Sequence, residues 1–384
     1  MKQLKELSVN IKFKFPIFAV GAELKSVFAI GYKEKIFLLE NEKIEDEISL
    51  FDMWWENYNF LKREVGVKPR LIVSDLHPAY FSTKFASEVA AKERIKLVKV
   101  QHHYSHIISC MSENNLKDRC IGVVYDGTGY GVDGNLWGSE IFVVSRNGFI
   151  RKGHFDYLDI VSGDLSVREP YRVAIGFLYK NLPEYEKTLF WKKFRLHYKN
   201  YRDRFYGIKF LIDNNKLVKS CGMGRVFDVV AVLCGLGTEN KYEAELPIKF
   251  ESLASDKVSE VVEKDIFYDY KITNVKDCLV VDTKGLLLKV IEDVGKVDSK
   301  VISAKFHYTI VKVTMDIVDK VCEKFRIRKV VLSGGVFQNK ILFNLIEQFL
   351  QKKGFKVFCH KKLPFSDYNI ALGQCVLGNK FFLK

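Results

Sequence analysis

The sequence predicts an α/β fold in which one strand-and-helix unit occurs twice, giving two lobes with a cleft between them. Three observations predict it. Apolar strands and amphipathic helices alternate along the chain. The pattern starts again near residue 121 after a first complete pass. Each pass opens with strands whose first turn is punctuated by glycine, AVGAELK at 19–25 and YDGTGYG at 125–131. The 384 residues suggest about two or three domains, and a hydrophobic fraction of 48% is enough for a large buried core.

The first pass begins with three strands over 16–40, IFAVGAELK, SVFAIGY and KIFLLE, dense in Val, Ile and Phe. Phe51, Trp54, Trp55, Tyr58 and Leu61 recur at three-to-four spacing and predict a helix over 46–65. RLIVSD follows as a short buried strand, 83–96 as a helix, KLVKV as a strand and 103–115 as a helix. The second pass opens with IGVVYDGTGYG, LWGSEIFVVSR and FIRKGHF as a three-stranded meander. Helices are expected at 171–180, 225–236 and 251–264, and the long segment 303–325 is given no element. KDCLVVD and KVVLSGG read as strands, 340–352 as a helix, KVFCH as a strand and 370–382 as a final helix. The lobes are taken as 1–119 and 120–384, the second carrying a helical insertion at about 155–300.

Lys and Arg number 61 against 47 Asp and Glu, a formal charge of +14. That balance admits an acidic partner or nucleic acid and speaks to association, not to fold. The stretch 184–210 interleaves aromatics with Lys and Arg. It reads as an amphipathic helical insertion with its basic face outward rather than a base-stacking platform. No two of the eight cysteines form a CxxC pair, which excludes a zinc ribbon and gives no disulfide framework. Residues 1–15 lack the continuous apolar core of a secretory signal. No apolar stretch approaches the ~20 residues of a membrane helix. A cytoplasmic protein with reduced cysteines is expected.

The sharpest local signal is HHYSH at 102–106. His102 and His106 at i and i+4 share one helix face, a geometry suited to a divalent metal on neutral imidazoles. A metal-free histidine-rich helix start fits the spacing equally well. The missing glutamate of HExxH disfavours a zincin. Asp126 ends an apolar strand, where a carboxylate can hold a metal or phosphate-bound Mg²⁺. Gly127, Thr128 and Gly129 after it allow close backbone approach to an anion, although a lone turn of this kind is more often an ordinary hairpin. Asp367, in PFSD, is by itself most cheaply a helix N-cap. Gly334, Gly335 and Asn339, in SGGVFQN, form a strand-to-helix turn that can admit a base or ribose. It is not a Walker A loop, because the GK[ST] is missing.

The duplicated scheme resembles the architecture shared by actin, sugar kinases and heat-shock chaperone ATPases (the ASKHA fold). Nine segments in order then resemble a narrower family: AVGAELK, DLHPAYFSTKFA, VQHHYSHI, DGTGYGVDGNLWGSE, SGDLSVREPYRVA, GRVFD, KFHYTI, LSGGVFQN and PFSDYNIALGQ. Together they are similar to the C-terminal carbamoyltransferase domain of the hydrogenase-maturation factor HypF, from about Pro16 to the C-terminus. KYEAELP at 241–247 departs from that family's more Gln/Ala-rich pattern.

The resemblance implies transfer of carbamoyl from carbamoyl-adenylate to the C-terminal cysteine of a HypE-like acceptor. This step supplies the cyanide ligands of nickel–iron hydrogenase. It implies one metal, iron or zinc, on His102, His106, Asp126 and Asp367. Lys25 is placed near the phosphates of ATP, AMP or the adenylate, with or without Mg²⁺. Gly163, Asp164, Gly224 and Asp228 are placed on the ribose and adenine side with Gly334, Gly335 and Asn339. The residues before Pro16 are too few for the upstream domains of the family, so the adenylate is expected from a separate YrdC-like protein or domain. Two other classes remain open: a tRNA threonylcarbamoyl transferase-like enzyme and a nucleotide-binding subunit without turnover.

Overall fold

The computed structural model describes residues 3–23, 27–42, 46–163, 165–183 and 201–381. Two mixed sheets frame it. The first has the order β2-β1-β3-β4, with β1 at Leu4–Ala19, β2 at Val27–Glu40, β3 at Leu71–Asp75 and β4 at Lys96–Val100. β1 and β2 form a long antiparallel hairpin, after which β1 takes β3, and β3 takes β4, in parallel.

This sheet corrects the expected strands in two places. SVFAIGY and KIFLLE are one strand, β2, because the chain passes Lys33 at φ 54° beside a register shift and bends without leaving the ladder. Leu4–Phe15, for which the sequence reading names no element, is the outer half of β1. Its alternation of Lys with apolar residues is the period-two signal of a half-buried strand, and Leu7, Val9, Phe13 and Phe15 turn inward.

One face of the first sheet is covered by helices Glu47–Val65 and Phe81–Glu93. The first is capped by Asp46, whose carboxylate accepts from Ser49 N at 2.8 Å, and stops at Gly66 with φ 69°. Its Leu50, Trp54, Tyr58 and Leu61 pack on Phe18, Phe28 and Phe85. The second ends at Arg94, short of the expected residue 96, because Arg94 is left-handed.

The second sheet has the path β10-β11-β7-β6-β5-β12-β13. β5 (Cys120–Tyr130), β6 (Leu136–Ser145) and β7 (Gly148–Phe155) are the antiparallel meander. β8 (Leu158–Val161) and β9 (Leu217–Ser220) pair beside it, and β10 (Ile272–Val275) and β11 (Cys278–Val281) extend it past β7. β12 (Lys329–Ser333) joins β5 in parallel and β13 (Lys356–Phe358) joins β12. Helices Tyr171–Asn181, Met223–Leu233, Glu245–Ala254 and Ser299–Phe325 bury the largest core against this sheet. The helix expected over 251–264 is two, Glu245–Ala254 and Val258–Glu263. Thr283–Asp293 is a helix the sequence reading does not name, capped by Asp282 and seated on Leu286, Leu287 and Val290. Part of the basic aromatic stretch, 184–200, lies outside the described residues.

Between the sheets lie two helices, His102–Glu113 and Ile370–Gly378. Their side chains share one core with Ile17, Leu71 and Val73 of the first sheet and Val124 and Val331 of the second. They touch through Gly373, where a Cβ would stand 2.0 Å from the Ser105 carbonyl oxygen. Among the described residues no helix is long and apolar enough to cross a membrane.

Candidate metal centre

Helix His102–Glu113 begins at the end of β4. The Gln101 side chain accepts from Tyr104 N at 2.8 Å and fixes the first turn. One turn apart, His102 and His106 aim at Asp126 and at the turn carrying Asp367. Asp126 does not end its strand as expected: β5 continues to Tyr130, and Asp126 sits at the register shift between Tyr125 and Gly129. His102 Nε2 is 3.2 Å from Asp126 Oδ2 and 3.7 Å from Asp367 Oδ1. For His106 Nε2 the same distances are 3.6 and 3.5 Å. Both histidines are buried, Asp126 nearly so, and the Asp367 side chain is 34% exposed, which leaves one open side.

The tautomers follow from the partners behind the rings. His102 Nδ1 lies 2.8 Å from Asp75 Oδ2, and a carboxylate only accepts, so Nδ1 carries the proton. His106 Nδ1 lies 2.9 Å from Asn369 Oδ1, and the Asn369 amide is oriented by its bond to the Pro364 carbonyl at 2.9 Å. Both Nε2 lone pairs therefore face carboxylate oxygens. His106 Nε2 is buried without a hydrogen-bond partner. Four converging acceptors call for a cation. A tetrahedral metal with bonds of about 2.0–2.2 Å spans ligand-to-ligand edges of about 3.3–3.6 Å, and the four measured edges lie at or within 0.1 Å of that range. The donor set, two imidazoles and two carboxylates within 4.8 Å of one another, suits iron or zinc.

The electrostatics agree. Burial opposes protonation of His102, yet Asp75 and Asp126 outweigh it and hold its pKa well above the ordinary value. His106 is raised likewise against its burial, through Asp126 and Asp367. Burial pushes the Asp126 carboxyl up, but the adjacent His102 and His106 rings hold it well below the usual range. The cluster is thus built to hold positive charge. His103 is the contrast: burial and the neighbouring His102 lower it to about 3, so it is neutral. Its Nδ1 faces the Gln101 amide at 3.0 Å, and its Nε2 stands 4.0 Å from Asp126 Oδ2.

The glycines of the sequence reading divide into two kinds. Gly129 is required by the histidines, since a Cβ there would lie 2.6 Å from atoms of His102 and His103. Gly334 and Gly224 are required by backbone packing, against the Tyr125 carbonyl and Gly127 respectively, and Gly335 N donates to Asp126 Oδ1 at 3.1 Å. Gly127 and Gly163 face open space, and Thr128 is partly exposed on β5. The N-terminus of helix Met223–Leu233 abuts Gly127, with Gly222 against its carbonyl and Gly224 against its Cα.

Two residues placed on the ribose side are turned inward. Asp228 is fully buried, with Arg225 Nη2 at 2.6 Å from its Oδ2, and burial raises its pKa. Asn339 caps helix Lys340–Lys352 through Leu342 N and bonds His307 Nε2 at 2.8 Å. Their contacts are with Arg225 of the same helix and with His307 and the first turn of helix Lys340–Lys352. Lys25 and Asp164 lie outside the described residues. Asp75 and Asn369, which the sequence reading gave no role, stand behind the two histidine rings. The available signal was that both lie within the quoted segments DLHPAYFSTKFA and PFSDYNIALGQ.

Comparison with known proteins follows the geometry. Residues 12–113 match the family described as HypF Kae1-like domain, and 122–374 match that described as carbamoyltransferase, Kae1-like domain, second subdomain. The probable carbamoyltransferase HypF of Methanocaldococcus jannaschii is 31% identical over 373 residues, 96% of this chain and 47% of the relative. A crystal structure of full-length HypF in the phosphate- and nucleotide-bound form superposes with a TM-score of 0.88 at 32% identity. It covers 99% of this chain and 57% of that one. HypF of T. kodakarensis superposes at 0.83 and 26% identity, covering 98% and 49%. The chain spans about half the length of the curated relatives it matches. The fold is the two-lobed ASKHA type expected from the duplicated strand scheme.

Proposed function

This chain belongs to the HypF carbamoyltransferase family, and we propose that it moves a carbamoyl group from carbamoyl-adenylate to the C-terminal cysteine of a HypE-like protein in hydrogenase maturation. The observation that carries the proposal is the cluster of four acceptors, open on one side, beside the exposed backbone of Gly127. The adenylate would come from carbamoyl phosphate and ATP through a YrdC-like protein or domain. Residues 1–119 and 120–384 are read as the two lobes, the cleft between them as the site, and the cytoplasm as its place.

His102, His106, Asp126 and Asp367 would hold one iron or zinc ion. Bound there, it would supply Lewis-acid polarisation of a carbonyl or phosphoryl oxygen. The chain's own groups do the rest. The N-terminus of helix Met223–Leu233 and the N–H groups around Gly127 offer positive potential to the adenylate phosphate. Gly163 leaves room on the ribose side, and Lys25 is assigned to the phosphates. Tyr80 is held protonated by burial and by the charges of Asp75, Asp367, Glu23 and Asp126, so its phenol is a donor among carboxylates. In the transfer the acceptor sulfur bonds the carbamoyl carbon, the bond from that carbon to the phosphate oxygen breaks, AMP leaves, and the thiol proton passes to solvent. No thiol of this chain is needed. Cys221, the cysteine nearest the glycine turn, has its pKa pushed well above the ordinary value by burial and by Glu140.

The test supplies carbamoyl-adenylate and a HypE-like protein to the purified chain, and follows AMP release and the acceptor's mass. The expected result is gain of one carbamoyl group on the terminal cysteine, lost with His106→Ala. Modification of tRNA from threonylcarbamoyl-adenylate in place of the protein would overturn the acceptor. Nucleotide binding without donor consumption would overturn catalysis.

A further inference from the structure

Different groups back the two imidazoles of the centre. Behind His102 is a charged group, the Asp75 carboxylate at the end of β3, with no exposed surface and its other oxygen taking the His77 N–H at 3.0 Å. Behind His106 is a neutral one, the Asn369 amide, also fully buried. Burying a carboxylate is costly unless it is paired. Among the described ion pairs, the one partner of Asp75 is His102. A carboxylate behind a ligating imidazole fixes its tautomer and raises its basicity, whereas an amide oxygen fixes the tautomer without adding charge.

We propose that Asp75 and Asn369 are the positioning residues of the metal centre: both fix Nε2 as the binding nitrogen, and Asp75, through its charge, makes His102 the stronger of the two donors. This rests on the metal reading above. Neither residue touches the ion. Asp75 acts from the first sheet. Asn369 acts from the turn that also carries Asp367, two residues away, so a single short segment supplies one ligand and orients another. The arrangement predicts an asymmetry that a plain packing role does not. Replacing Asp75 by its isostere removes charge and leaves shape, while the matching change at Asn369 has no charge to remove.

The test titrates the metal-free protein with Co²⁺ against a competing chelator, for wild type, Asp75→Asn, Asp75→Ala and Asn369→Ala. It also records the visible spectrum and the hyperfine-shifted, exchangeable Nδ1–H proton signals of the Co²⁺ form. Wild type is expected to show one such signal for each ligating histidine. Asp75→Asn should weaken Co²⁺ binding about 10-fold and Asp75→Ala nearer 100-fold, the range for groups behind a ligand. Asp75→Ala should also lose the His102 signal to solvent exchange. Asn369→Ala should lose the other signal with a smaller loss of affinity. If Asp75→Asn binds as wild type does, the charge role is wrong. If both alanine variants keep wild-type affinity, spectrum and both signals, the positioning role is wrong. If wild type itself binds no Co²⁺, the metal reading fails first and this inference with it. Should Asp75→Ala fail to fold, the isosteric Asp75→Asn still decides the charge role, and Asn369→Ala the positioning role.

Discussion

Gly373→Ala is the sharpest test of how this centre is built. A Cβ at 373 would stand 2.0 Å from the Ser105 oxygen, 2.7 Å from its carbonyl carbon and 2.9 Å from its Cα. All three are backbone atoms of the helix that carries His102 and His106, so no side chain can swing aside. Real Cβ contacts essentially never fall below 3.0 Å, so the two helices must part by at least about 1 Å. Overpacking of that kind costs about 1–3 kcal/mol, readable as a lower urea midpoint with unchanged slope. The functional effect should be larger. Ser105 lies between the two ligands, and metal sites tolerate only about 0.2 Å in ligand distance. Moving His102 and His106 while Asp367 stays with the other helix should reduce Zn²⁺ or Co²⁺ affinity at least about 10-fold, as loss of groups behind a ligand does. Chelator competition measures it. A Gly373→Ala protein with wild-type midpoint and wild-type metal affinity would refute the claim that this helix contact sets the site.

Further expectations concern the supports around the centre. Glu113, at the end of the metal helix, bonds His360 at 2.5 Å and accepts from the N–H groups of Lys361, Lys362 and Leu363, just ahead of the Asp367 turn. Glu113→Gln places an NH₂ among those donors, should cost about 1–3 kcal/mol, and should weaken metal binding in the same chelator assay. Arg151→Met leaves the fully buried Glu140 without its guanidinium partner and should cost about 3–5 kcal/mol by chemical denaturation. Burial pushes the Glu140 carboxyl up, but Arg151 holds it below its ordinary 4.5. Its stabilisation is therefore full above that value and lost as the pH falls through the lowered one, and Glu140→Gln should flatten this part of the acid limb in stability-against-pH curves. Ala244 holds φ 58°, a left-handed conformation that costs an alanine about 1–2 kcal/mol. Ala244→Gly should stabilise the fold by a net about 0.5–1 kcal/mol after the extra unfolded-state entropy of glycine, read as a higher urea midpoint.

What was legible in the sequence was the part written locally. The spacing of His102 and His106 puts both rings on one helix face, as the structure has them, whereas Asp126, expected at a strand end, lies within β5 at a register shift. Asp75 and Asn369 could not declare themselves, because an aspartate at a strand end and an asparagine near a helix start have cheaper local uses. Only the meeting of β3, the metal helix and the Asp367 turn gives them a role. The glycines carry a second use that the sequence reading did not assign. Gly224 and Gly334 pack backbone to backbone, and Gly335 gives its N–H to Asp126. Sequence spacing cannot separate a glycine that admits a phosphate from one that admits a carbonyl.

The duplication explains why the centre sits where it does. The first sheet runs β2-β1-β3-β4 and is followed by helix His102–Glu113. The matching part of the second runs β6-β5-β12-β13 and is followed by helix Ile370–Gly378. β1 corresponds to β5, β3 to β12 and β4 to β13, with the same parallel and antiparallel pairings. The two closing helices are therefore equivalents, and they pack on each other through Gly373 and Ser105. Their entries point to one place. One helix contributes His102 and His106, and the turn into the other contributes Asp367. The strands between them contribute Asp126, from within β5, and Asp75, from the end of β3. A site assembled at the junction of two copies need not be repeated in either copy. Comparing one half with the other can therefore reveal the fold but not the candidate centre between them.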